Sequence, residues 1–153
     1  MTSSTIAKTF TIAAIAALAV CIAPTASAQN LGCSNASLNG TYAYTGSGTI
    51  VTPAALAGPF AEVGTQTFDG QGHTTATATA SQGGTILQFT ITGTYTVNPN
   101  CTGTLTLQVA PIGITVPVSI VIDNNWNEFQ AIETSPGVVI TRVGHKLYPG
   151  INI

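Results

Sequence analysis

The chain has 153 residues, 5 acidic against 3 basic side chains, a net charge of −2 and 44% hydrophobic content. No basic patch is present to neutralise phosphates, which excludes nucleic-acid binding, and so apolar and periodic a chain is not a disordered one. Charged residues make up only 5%, far below the usual quarter, so Thr, Ser, Asn and Gln must supply the wet surface.

The first stretch reads as a leader rather than as domain. Lys8 precedes the apolar run Thr11–Ala23, and Ala26-Ser27-Ala28 follows. A basic start, a short apolar segment and an A-x-A site define a secretory signal peptide. The run is short for a membrane span, and none is expected in the mature chain. Cleavage after Ala28 leaves 153 − 28 = 125 residues, Gln29–Ile153, as a single domain. The product is then secreted or periplasmic. Leu18-Ala19-Val20-Cys21 offers a competing reading, a lipoprotein anchored through Cys21, although Val20 is bulky for that position. The mature chain carries Glu62, Asp69, Asp123, Glu128 and Glu133 against Arg142 and Lys146, or 2 − 5 = −3.

After a lead-in that holds Cys33, the sequence alternates with period two, the mark of β-strands with one buried face. Strands are expected at Thr41–Val51, Phe60–Phe68, Thr74–Ser81, Thr85–Val97, Thr104–Ala110, Ile114–Ile122, Trp126–Thr134 and Val138–Leu147. The connections carry turn chemistry. Asp69-Gly70-Gln71-Gly72 supplies positive-φ positions for a hairpin, Asn98-Pro99-Asn100 fixes a tight corner, and Ser135-Pro136-Gly137 reads as a three-residue link. Pro117 lies opposite the face formed by Ile114, Val116, Val118, Ile120 and Ile122, which suggests a bulge or an unpaired position. No useful helical period follows the leader. Eight short strands with hairpin-length links predict an all-β fold, an antiparallel up-and-down barrel.

Cys33 and Cys101 are the two cysteines left after processing, most simply a disulfide in an exported protein. Two free thiols are the alternative. His73 and His145 lack metal-ligand spacing, and neither a metal nor another cofactor is implied.

Three runs together resemble a group of small exported bacterial proteins, mostly uncharacterised. They are Leu38-Asn39-Gly40-Thr41-Tyr42 after Cys33, Phe68-Asp69-Gly70-Gln71-Gly72 after Val63-Gly64, and Gly93-Thr94-Tyr95-Thr96-Val97-Asn98-Pro99-Asn100-Cys101-Thr102-Gly103-Thr104. The fold of that group is similar to the allene oxide cyclase and lipocalin-like barrels. The resemblance implies a barrel and no catalytic residue, since its motifs are turns, glycines and the cysteine pair, and no cyclase site motif accompanies them.

Catalytic signatures are missing: Gly46-Ser47-Gly48 is not a nucleophile elbow, and Gly70-Gln71-Gly72 opens no helix. Three constellations stand as candidates. On the second strand Glu62, Gly64, Gln66 and Phe68 share a face, so Glu62 points inward if the strand is regular and sits at the rim if a bulge follows Pro59–Phe60. An inward Glu can orient a polar ligand or act as an acid or base. On the last hairpin a three-residue link sets Gln130 opposite Arg142, with Glu128 on the same face and Phe129, Ala131, Val139 and Val143 on the other. Arg142 then either forms a surface ion pair or, turned inward, binds a ligand carboxylate. The aromatics Tyr42, Tyr44, Phe68, Phe89, Tyr95, Trp126 and Phe129 line a cavity or simply fill a small barrel. The third strand leaves room either way, because its inward set, Thr75/Thr77/Thr79 or Ala76/Ala78/Ala80, is small.

Three function classes follow: a binder of a small apolar or amphipathic molecule, a structural or interaction protein of the envelope or secretome with a filled barrel, and a cyclase-type enzyme. The last requires an inward Glu62 or Glu128 beside a tyrosine hydroxyl.

Overall fold

The computed structural model describes residues 32–148. The expected leader, Cys21 and the tail beyond Tyr148 lie outside the described residues. Eight strands close into a barrel: β1 Asn39–Ile50, β2 Gly58–Asp69, β3 His73–Gln82, β4 Thr85–Val97, β5 Thr102–Ala110, β6 Ile114–Asp123, β7 Glu128–Glu133 and β8 Val138–Lys146. Each pairs antiparallel with its neighbour in sequence, and β1 pairs with β8 to seal the ring. Closure removes the sheet edges that a strand-rich surface would otherwise offer for aggregation.

The alternation predicts the faces. On β3 the alanines Ala76, Ala78 and Ala80 are buried while Thr75, Thr77 and Thr79 face out. Outward threonines pair across strands, as in Thr41–Thr67 at 2.9 Å and Thr65–Thr77 at 3.4 Å between hydroxyls. They cover the barrel with polar, β-favouring side chains in place of charge.

Pro117 requires no bulge. The β5–β6 register runs unbroken through Thr106↔Pro117. Its carbonyl accepts from the Thr134 amide at 2.9 Å, beyond the end of β7, where a missing N–H costs no ladder bond. Ile114 shares the inward parity of Val116 but is exposed at the strand's start.

One end of the barrel is closed. Cys33 and Cys101 are disulfide-bonded across 68 residues, beside a one-turn 3-10 helix at Asn35–Ser37. The Cys33 amide donates to the Pro99 carbonyl at 3.1 Å. Leu38 is wholly buried there. The Tyr95 hydroxyl donates to the Leu38 carbonyl at 2.8 Å, and the Val97 amide donates to Asn35 Oδ1 at 2.8 Å. At the adjacent hairpin Asp69 Oδ1 accepts from the amides of Gln71, Gly72 and His73 at 2.7, 2.9 and 2.9 Å. These amides, that of His73 foremost, hold the carboxyl down at about 2. The stretch Gly93–Leu107, distinctive in sequence, is thus two barrel staves and the corner that ties down the plug.

Two expected elements differ. Trp126 does not open a strand: Asn125 and Trp126 have φ of 52° and 68°, a left-handed pair that no strand accepts, and they form a turn at Asn124–Trp126. The last hairpin also turns one residue more tightly than expected, the Val138 amide donating to the Ser135 carbonyl at 3.2 Å, so Ala131 rather than Gln130 pairs with Arg142. Because strand side chains alternate with period two, that single step moves Arg142 from the outer face to the inner one.

Candidate functional site

The barrel interior is built in cross-strand layers that alternate bulk with emptiness. One layer reads Ala78–Gly64–Tyr44–Gly144–Phe129. Tyr44 lies over Gly64 and Phe129 over Gly144; a Cβ at either glycine would collide with the ring. Nearer the closed end Phe68 is the hub of an aromatic cluster. Its ring centroid lies 5.5 Å from Tyr42, 5.2 Å from Tyr95 and 5.8 Å from Phe129, mostly edge-to-face, the favoured geometry for aromatic rings. All four rings are buried.

The seven candidate aromatics therefore do not line one cavity. Tyr42, Phe68, Tyr95 and Phe129 fill the core, Tyr44 and Phe89 are buried nearer the middle, and Trp126 is exposed at its turn. Trp126 contributes only its backbone carbonyl, which accepts from the Tyr42 hydroxyl at 2.7 Å. Burial pushes Tyr42 up to about 12, so that hydroxyl stays a donor.

The next layer toward the other end is Ala80–Glu62–Gly46–Arg142–Ala131. Here the interior is charged. Glu62 and Arg142 both flank Gly46 in register and meet over it, with Arg142 Nε donating to Glu62 Oε1 at 2.5 Å. Gly46 leaves the needed volume: a Cβ there would stand 2.8 Å from Oε1 and 3.1 Å from Arg142 Cγ. On the far side of Glu62 the Tyr44 hydroxyl donates to Oε2 at 3.4 Å. Burial first, then the Glu62 charge, drive Tyr44 well above the ordinary tyrosine range, with Arg142 opposing. Glu133, the last residue of β7, completes the group with Oε2 3.9 Å from Arg142 Nη2. Burial raises its pKa, and the Glu62 charge adds to this. Arg142 and a hydrogen bond from Ser135 act the other way.

Glu62 is thus inward, because β2 runs without a bulge from Gly58 to Asp69. Arg142 is inward as well, and the side chains of Glu62, Glu133 and Arg142 are 2, 8 and 12% exposed. Glu128 stays outside, its Oε2 3.6 Å from His145 Nδ1. Glu133 shares the inward parity of Phe129 and Ala131, which is the sequence signal for its placement. Gln66 is also buried and donates to Thr74 Oγ1 at 3.1 Å.

Arg142 Nη1 is buried and has no partner. Toward the rim the next inward layer is Phe60–Gly48–Ile140, with Phe60 and Ile140 buried, and Ile50, Leu87, Ala131 and Val138 pack half-buried against the core. The rim beyond them consists of the links at 51–57, 83–84, 111–113 and 134–137. Among the described residues no group of three or more His, Cys, Asp or Glu side chains is placed to hold a metal ion.

Two concavities lie on the outer wall instead. The larger, about 810 Å³, crosses β2, β3 and β4 and is lined by Thr65, Thr77, Thr79, Gln88, Thr90 and Val63 among others. The smaller, about 300 Å³, spans β8, β1 and β2 around Val63, Thr45 and Val143. Both are wide open, and the larger holds no ionisable group.

No family model matches the chain, and no curated protein matches it. Solved structures do. A redesigned β-barrel, b11L5F_LGL, is 16% identical with a TM-score of 0.55, over 74% of this chain and 95% of that one. The redesigned barrel mFAP1, bound to DFHBI, is 19% identical with a TM-score of 0.52, over 73% and 97%. EF1p2_mFAP2b, also bound to DFHBI, is 13% identical with a TM-score of 0.54, over 72% and 94%. At these identities the likeness is one of fold.

Proposed function

We propose that this protein is an exported β-barrel that binds a small amphipathic molecule at the mouth opposite the disulfide. The observation that carries the reading is the buried, unpartnered Nη1 of Arg142. A buried donor left unpaired costs about 1–3 kcal/mol, and a ligand oxygen would recover that. Two barrels of similar fold, mFAP1 and EF1p2_mFAP2b, are bound to DFHBI, which supports a small molecule as the occupant. The leader-like pattern of residues 1–28 supports export. The up-and-down topology is in keeping with the allene oxide cyclase-like and lipocalin-like resemblance.

Native mass spectrometry of the protein purified from its host tests the reading. A small molecule should co-purify with the intact disulfide-bonded chain, and its loss on Glu62→Leu with Arg142→Met, which removes the pair together, should accompany a retained barrel spectrum. A chain that arrives empty, and takes up nothing from a small-molecule extract of the host, would overturn it.

One contact favours a second reading, a cyclase-type enzyme: Tyr44 and Glu62 stand side by side in the interior. Incubating the co-purified molecule with fresh protein separates the two. Conversion to an isomer of equal mass, lost on Tyr44→Phe, marks an enzyme; an unchanged molecule marks a binder.

A further inference from the structure

The ligand's chemical class can be argued further, on the premise that the mouth is a small-molecule site. An inward arginine first suggests a carboxylate ligand. The surroundings of Arg142 argue against that. Its Nε is taken by Glu62 at 2.5 Å, and Nη2 faces Glu133 at 3.9 Å. With both carboxylates ionised the group sums to 1 − 2 = −1. A third carboxylate would add a second net negative charge where water is largely excluded and screening is weak. What the group lacks is an acceptor at Nη1, whose two N–H donors have no partner. A neutral carbonyl oxygen supplies that acceptor without adding charge.

The remaining polar atoms complete the pattern. Glu133 has oxygen lone pairs left to accept from an N–H or O–H on the same head group, since its nearest guanidinium contact is long. Tyr44 is already committed to Glu62. Leu87 lies in register with Ala80 of the polar layer itself; the next inward layer toward the rim is Phe60–Gly48–Ile140, and Val138 pairs with Ile50 beyond it. These side chains would cover an apolar tail. We infer that the barrel mouth takes a neutral amphipathic molecule whose head carries a carbonyl oxygen beside an N–H or O–H, the oxygen on Arg142 and the hydrogen on Glu133, and that it discriminates against the matching carboxylate.

Arg142 is the sole arginine of the chain, so its guanidinium ¹⁵N resonances are unambiguous reporters. Octanamide and octanoate, equal in length and differing in head-group charge, are titrated into ¹⁵N-labelled full-length protein near neutral pH. Octanamide should shift the Arg142 signals saturably, and octanoate should bind at least about tenfold more weakly. Glu133→Gln removes one negative charge without disturbing Glu62. In that variant the octanoate deficit should shrink about tenfold.

Octanoate binding as well as or better than octanamide in the wild type overturns the proposed head-group class and leaves the small-molecule reading standing. The same holds if octanamide moves the methyl signals of Leu87 but not the guanidinium. If neither probe moves the guanidinium or those methyls, the mouth is not a small-molecule site for this chemistry and both readings fall.

Discussion

Arg142 and Glu62 meet inside the barrel across a residue that has no side chain. They lie 80 positions apart and on different strands, and Gly46 of the strand between them is in register with both. Removing one partner of a buried pair strands the other charge, which costs about 3–5 kcal/mol, whereas replacing both by apolar residues of similar size can be neutral or stabilising. Glu62→Gln should therefore destabilise strongly in urea unfolding, and Glu62→Leu with Arg142→Met should recover most of the loss. A double variant no more stable than the single one would show that the pair is not a closed electrostatic unit.

Gly46→Ala tests the volume argument separately. The added methyl group would stand 2.8 Å from Glu62 Oε1, and overpacking of this kind costs about 1–3 kcal/mol. Combining it with Glu62→Ala, which empties the same space, should cost less than the sum of the two single variants. Strict additivity in a double-mutant cycle would refute the contact.

The pH dependence centres on Glu133. Its pKa is raised in the folded state, chiefly by burial, with the Glu62 charge adding and Arg142 and Ser135 opposing. The folded form then holds its proton more tightly than the unfolded form does. The stability this confers is fully present below the unfolded value, about 4.3, and is lost as pH rises through the folded value. Glu133→Gln should consequently raise the urea midpoint at neutral pH and leave it nearly unchanged near pH 4. Asp69, held down at about 2 by three backbone amides, works in the opposite sense. Its contribution is present above the unfolded value and disappears on strong acidification, so Asp69→Ala should lower stability at neutral pH and not below about pH 2. Equal destabilisation by Asp69→Ala at both pH values would mean that the charge of the turn carboxylate is not what matters.

The disulfide closes a loop of 68 residues, for which chain-entropy reasoning gives roughly 4 kcal/mol. Cys33→Ala with Cys101→Ala should lower the unfolding free energy by about that much. Because the two cysteines sit at the plugged end, hydrogen exchange should quicken first at the amides of Cys33 and Val97, and only later at those near Arg142.

Tyr95→Phe isolates the plug from the barrel. It removes the hydroxyl donated to the Leu38 carbonyl while keeping the ring against Phe68. A cost of about 1 kcal/mol is expected, with faster exchange at the Val97 amide, which Asn35 holds. Unchanged exchange there would show that the lead-in is fixed without Tyr95.

Much of this fold can be read from period-two alternation and turn residues. Eight strands, the inward set Glu62–Gly64–Gln66–Phe68 and the Asp69–Gly72 turn follow from local chemistry, because side-chain parity and positive φ are decided within a few residues. The pairing of Cys33 with Cys101, expected on the premise that residues 1–28 are a leader, is present. What the strand pattern leaves open is register across each link and which rings meet. A last turn one residue tighter than the Ser135–Gly137 link turned Arg142 inward, and left-handed backbone at Asn125 and Trp126 took the tryptophan out of the strand. The aromatics were visible as a set, but only closure of β1 on β8 packs Tyr42, Phe68, Tyr95 and Phe129 into one end. The same closure brings Glu62 and Arg142 together over Gly46. Strand identity is a short-range property of the sequence. The charged layer at the mouth is a product of ring closure and register, which only the assembled barrel determines.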